Sequence, residues 1–126
     1  MTAKTRSLSF LDMSGISLSG LCLIHCLAMP FLAAALPVLA VFSEAEWLHK
    51  AFVLLALPVA AIAAITLKAG RDKIGILLLM VIAISLLIAG AFVEPLHDHE
   101  TSLTVVGAIC LASAHIWRWA RHQALH

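Results

Sequence analysis

Cys22, His25, Cys26 and Met29 fall at i, i+3, i+4 and i+7, so in a helix all four project from one face. Two thiols and an imidazole on one stripe are half of a soft-metal site. No Asp or Glu shares the charge-free run that holds them, which argues against calcium and magnesium, whose ligands are oxygens. The pair suits a dication crossing lipid. Two thiols are neutral and two thiolates around one dication are neutral again, so two protons can exchange for one metal ion without a bare charge in hydrocarbon. Either cysteine alone would be ordinary packing, since free cysteine behaves as a small hydrophobe. The ionisable His25 beside Cys26 is what packing does not call for. Met29 and the isolated Cys110 are assigned to packing.

The other histidines extend the pattern. Glu46 and His49 are spaced i, i+3 in one charged segment, and His97-Asp98-His99-Glu100 fills another, so imidazoles and carboxylates from two loops gather at one mouth. Taken singly they are solvated loop residues; together they form a collecting site for a borderline cation. His115, near the opposite end of the last apolar run, is placed to receive the ion on its way out, or else to bond a neighbouring carbonyl. The expected metal ligands are therefore Cys22, His25, Cys26, His49, His97, His99 and His115. His122 and His126 receive no role. No catalytic residue and no permanent cofactor are expected: the metal ion is cargo.

The elements that must position these residues follow from where the charges lie. Of 126 residues, 63% are hydrophobic and 12% charged, and the charges leave four uninterrupted neutral runs at 13–43, 51–67, 74–93 and 101–117. A helix of 17–20 residues covers roughly 25–30 Å, the thickness of the hydrocarbon core of a bilayer. Within lipid every backbone amide must be paired inside its segment, and the runs do not alternate as barrel strands would. The chain is too short to wrap four all-round apolar helices in a polar shell. The sequence thus predicts an all-α integral membrane bundle, one domain over residues 1–126, with helices over about 14–35, 51–67, 74–93 and 102–118. Lys4 and Arg6 precede the first run as in a signal peptide. That run exceeds the usual apolar length and carries Cys22, His25 and Cys26, so it is assigned as a retained helix. The net charge of +1 offers no field for nucleic acid; the expected partners are the lipid bilayer and the metal ion.

Seven of the eight Lys and Arg lie in the amino-terminal segment, the 68–73 turn and the carboxyl-terminal tail, whereas the 44–50 and 94–100 turns hold five carboxylates and Lys50. By the positive-inside rule both termini face the cytoplasm, giving an up-down-up-down bundle with short turns. The first run would be about 46 Å long as one helix, so a bend at Pro30 is expected, with Leu36 to Phe42 lying along the outer interface. Pro58 should bend the second helix. Trp47, Trp117 and Trp119 sit where interfacial anchors belong. Gly15, Ser19 and Gly107 offer small faces through which copies of the bundle could pair as a homo-oligomer.

Ser19-Gly20-x-Cys22-x-x-His25-Cys26-x-x-x-Pro30 in the first helix leads a longer pattern: Trp47-x-His49 before a second helix with its central Pro58, His99-Glu100 ahead of the last, and His115-x-x-Arg118 closing it. From about Asp12 to Arg118 the chain resembles the MerC family. The resemblance implies a small multi-pass protein of the bacterial inner membrane that takes up mercuric ion in mercury resistance, with Cys22 and Cys26 as ligands. Mercury-resistance members carry a further cysteine pair near the cytoplasmic carboxyl end, where this chain has Arg121, His122 and His126. Mercuric ion prefers transfer between two thiolates, whereas zinc accepts mixed sulfur and nitrogen ligands. The resemblance implies mercury; the histidine-weighted mouth suits zinc.

Two other classes fit the residues less well. A membrane thiol oxidoreductase would need a second cysteine pair to pass a disulfide onward, and Cys22 and Cys26 are poorly placed for one on a single helix. A haem bundle would need His25 and His115 on one iron. His25 lies about 18 Å from the inner end of its helix and His115 about 3–5 Å from that side, which is too far apart.

Overall fold

The computed structural model describes residues 3–36, 38 and 46–124. Four α-helices follow in order: α1 (Ala3–Ala35), α2 (Glu46–Ile65), α3 (Lys73–Phe92) and α4 (Glu100–Ala124), with a 3-10 turn at Glu94–His99 between the last two. No strand occurs among the described residues. Each helix contains a span long and apolar enough to cross a membrane: Arg6–Ala28, Trp47–Ile65, Lys73–Phe92 and Glu100–Ala124.

The helices form a ring in which α1 packs on α2, α2 on α3, α3 on α4 and α4 back on α1, with α4 making the broadest contacts. The later half of α1 meets the first turns of α2 and α4, and its early half meets their far ends, so neighbours run antiparallel. The interior is written in one spacing. Buried positions alternate steps of four and three along every helix: Leu8, Asp12, Gly15, Ser19, Cys22 and Cys26 on α1, then His49, Val53, Ala56, Ala60 and Ala63 on α2. Ile76, Met80, Ala83, Leu87 and Gly90 continue it on α3, and Thr104, Ala108, Leu111, His115 and Arg118 on α4. This is the 3.5-residue repeat of a left-handed bundle.

Because α2 and α3 are apolar all round, hydrophobicity does not mark their inner face, which mixes small residues with Val53, Ile76, Met80 and Leu87. Ala63, Ala83 and Ala114 are fully buried, whereas Ile65, Ile74, Leu54 and Val81 face outward. Small residues let backbones approach where lipid offers no hydrophobic drive for helix association. Outward serines are satisfied within their own helix: Ser85 donates to the carbonyl of Val81 and Ser113 to that of Ile109, each at 2.8 Å. Trp47, Trp117 and Trp119 lie exposed near helix ends, as interfacial anchors should.

Three helices reach beyond their sequence-predicted bounds. α1 starts at Ala3 rather than near Ser14 because Leu8 and Asp12 are buried in the bundle; the charge of Asp12, which ended the apolar run, is turned inward. α2 begins five residues early, bringing His49 into its first turn, and α4 continues to Ala124. The α1 helix runs on through Pro30 and α2 through Pro58. Of the segment Leu36 to Phe42, Leu36 and Val38 are exposed, and the rest lies outside the described residues.

Gly15 and Ser19 continue the inward stripe of Cys22 and Cys26, and with Gly107 they are packed within the bundle. A Cβ at Gly15 would overlap the imidazole ring of His115, and one at Gly107 would press on Leu87 and the Ala83 carbonyl. Nothing stands near a Cβ at Gly20. Gly15→Ala is therefore expected to destabilise the bundle by about 1–3 kcal/mol through overpacking. Gly20→Ala should be neutral or stabilising by up to about 1 kcal/mol through helix propensity. Unfolding midpoints of the two variants in detergent check the contrast; equal effects would count against the His115 contact.

Candidate metal centre

The α1 stripe delivers Cys22 and Cys26 to the end of the bundle where α2 and α4 begin. His49, on the first turn of α2, places Nε2 3.2 Å from Cys26 Sγ. Thr104, one turn into α4, brings Oγ1 to 3.4 Å from the same sulfur, and Cys22 Sγ lies 4.0 Å from it. All four side chains are buried, with 8% or less of their surface exposed. Both cysteines are free thiols. Cys26 is thus the point where three helices meet.

Behind His49, Glu100 pairs with Nδ1. An ionised carboxylate can only accept, so Nδ1 carries a proton and Nε2 is the ring nitrogen that faces the sulfur. A carboxylate behind a histidine that faces a thiol is the usual way of orienting a metal-binding imidazole. Thr104 donates to the backbone carbonyl of Glu100 at 2.8 Å, which anchors hydroxyl and carboxylate to the same turn. His25, one residue before Cys26, packs edge-on against His49 with ring centroids 5.2 Å apart, and lies 6.2 Å from the ring of Phe52. It shields the cluster from one side.

Among the described residues, no three His, Cys, Asp or Glu side chains already surround one metal position. The arrangement is a set of pairs centred on Cys26. With metal–sulfur bonds of about 2.3 Å, two sulfurs stand about 3.8 Å apart around a tetrahedral ion and about 4.6 Å apart around a linear one. The observed 4.0 Å lies between these limits, so both thiolates can reach one ion with a small side-chain adjustment. A cavity of about 360 Å³ opens beside Glu100, lined also by Lys50, Glu94 and residues 90–93. Glu100 joins the cavity wall to His49.

The sequence-predicted ligands separate into two groups. Cys22, His25, Cys26 and His49 are brought together. His99 is exposed on the 3-10 turn, and the side chain of His97 lies outside the described residues. His115 belongs to a different cluster, with Asp12 and Arg118, about 21 Å along α1 from Cys26. Thr104 carries no chemical signal that would single it out in the sequence. Asp12 does: it continues the spacing of Gly15, Ser19, Cys22 and Cys26 by one more step.

The model of the family described as MerC mercury resistance protein matches residues 12–120. No curated protein and no solved structure matches the chain. The match takes in both buried clusters and all four helices, so the chain is a multi-pass membrane protein that belongs to the MerC mercury resistance family.

Proposed function

We propose that this protein carries mercuric ion across the bacterial inner membrane, with the thiolates of Cys22 and Cys26 as the transported ion's ligands and His49 as its third neighbour. The observation that carries this reading is the buried pair of sulfurs 4.0 Å apart, one of them 3.2 Å from an imidazole, within a membrane-spanning bundle. A soft dication is the ion that such a donor set selects. Loss of the two thiol protons as the ion binds keeps the loaded site neutral, which limits the penalty of holding the cargo in hydrocarbon. The cavity beside Glu100 supports access from the end of the bundle away from the termini. The positive-inside bias places that end outside, so the direction is uptake. The role is transport, with no bond of a substrate made or broken.

Zinc is the second reading, favoured by the Glu100–His49 pair, since a carboxylate-oriented histidine is a common partner of zinc. Vesicles containing the wild type or the Cys22→Ser/Cys26→Ser form, given labelled mercury or labelled zinc in competition, separate the two. Mercury should accumulate only with the wild type and persist against excess zinc. Suppression by zinc would move the assignment to that ion, and equal uptake by both forms would remove the site.

A further inference from the structure

A second buried cluster lies at the opposite end of the same α1 stripe. Asp12 and His115 are fully buried and Arg118 is 1% exposed. The Arg118 guanidinium donates through Nη1 to Asp12 Oδ1 and through Nη2 to Thr66 Oγ1 at 2.8 Å, while His115 Nδ1 lies 3.2 Å from Asp12 Oδ1. Four side chains therefore tie α1, the end of α2 and α4 together, the same three helices that meet at Cys26.

Stability is a weak reason for this arrangement. A buried ion pair gains little over well-packed apolar residues, and ionisable groups at membrane depth are expensive. The network is also incomplete: among the described residues Asp12 Oδ2, His115 Nε2 and Arg118 Nε have no hydrogen-bond partner, nor does the Ser19 hydroxyl between the two clusters. Polar atoms left unmatched in a packed bundle suit an element that must let go as well as hold.

The two ends of the bundle are closed to different degrees. The cysteine end has its cavity of about 360 Å³. Below Cys22 a separate void of about 10 Å³ lies among Ser19, Cys22, Val53, Ala56 and Leu111. Past that point stands Arg118, whose far side lines a cleft of about 20 Å³ with Lys68, Arg121 and His122 on the basic face. Arg118 is the partition between interior and basic face.

We propose that the Asp12–Arg118 pair, braced by Thr66, is the inner gate of the transporter, closed in this structure at the end of the bundle opposite the cysteines and their neighbouring cavity. Opening swings the long Arg118 side chain outward to the basic face, as arginines near helix ends do when they snorkel to water. His115 keeps its contact with Asp12, and water admitted by the opened route solvates the carboxylate that the guanidinium has left. Asp12, Ser19 and His115 then offer polar atoms along the exposed route. This inference rests on the transport reading above.

The test is labelling of Cys22 and Cys26 by a membrane-impermeant thiol reagent, in a Cys110→Ala background, applied separately to each face of sided vesicles. Thr66→Val removes one hydrogen bond to the guanidinium, and Asp12→Asn removes the charge while keeping an acceptor. Since such a bond to a charged group contributes about 1.5–3 kcal/mol, each variant should raise labelling from the termini face by about tenfold or more. Labelling from the other face should stay as in the wild type. Unchanged labelling from the termini face in both variants overturns the gate, as does an equal rise from both faces, which would mean general loosening. Mercury uptake by the same vesicles is scored separately. A gate that opens in a protein with no uptake refutes the transport reading alone, and uptake with unaltered labelling refutes the gate alone.

Discussion

Cys26→Ser will weaken mercury binding by more than about 100-fold, the upper end of what loss of a group behind a ligand produces. Cys26 is in contact with Cys22, His49 and Thr104 together, so its loss removes the sulfur on which those three contacts converge. Glu100→Gln should weaken binding by about 10–100-fold, because it leaves the ligands in place and only loosens the orientation of His49. His99→Ala should change nothing, since His99 is exposed on the turn. Titration of the purified protein with mercury against a competing small thiol, followed by thiolate–metal absorption, reads all three. A His99→Ala loss larger than the Cys26→Ser loss would move the site to the loop.

The second large effect is on stability. Arg118→Ala strands the Asp12 carboxylate in a fully buried position and should destabilise the protein by about 3–5 kcal/mol, and Asp12→Ala should do the same to the guanidinium. The double change Asp12→Leu/Arg118→Met removes both charges and fills both positions with apolar atoms, so most of the loss should return. Unfolding midpoints of the three forms in detergent check this. Additive losses in the double variant would show that the two groups do not act on one another. The same comparison bears on the gate, because a pair that apolar residues can replace without loss of stability is held there for something other than stability.

Much of the fold is legible in the sequence because lipid imposes a simple rule. Neutral stretches long enough to cross must be helices, and short charged turns between them force antiparallel neighbours. The inward stripe of α1 is legible too, since Gly15, Ser19, Cys22 and Cys26 share one face and are unlike the large aliphatic residues around them. Less legible is the inner face of α2 and α3, where every face is apolar and hydropathy does not mark it. The true start of α1 is hidden for a related reason: a hydropathy argument stops at Asp12, whose charge is matched by Arg118 from 106 positions away.

Four spans, the types of the ligands and the face of α1 that bears them follow from the sequence alone, because each depends on local composition and on the 3.6-residue turn. Which histidine joins Cys26 does not. His49, His97 and His99 are equivalent as loop-proximal imidazoles in the sequence. The extension of α2 back to Glu46 turns His49 into the bundle, while His99 is left exposed on the 3-10 turn. The support from Glu100 and Thr104, and the separation of His115 into a cluster with Asp12 and Arg118, arise from the phase of α4 against α1, which is set by close packing of small residues and by no local signal. Sequence spacing named the groups able to bind a metal, and helix packing decided which of them meet.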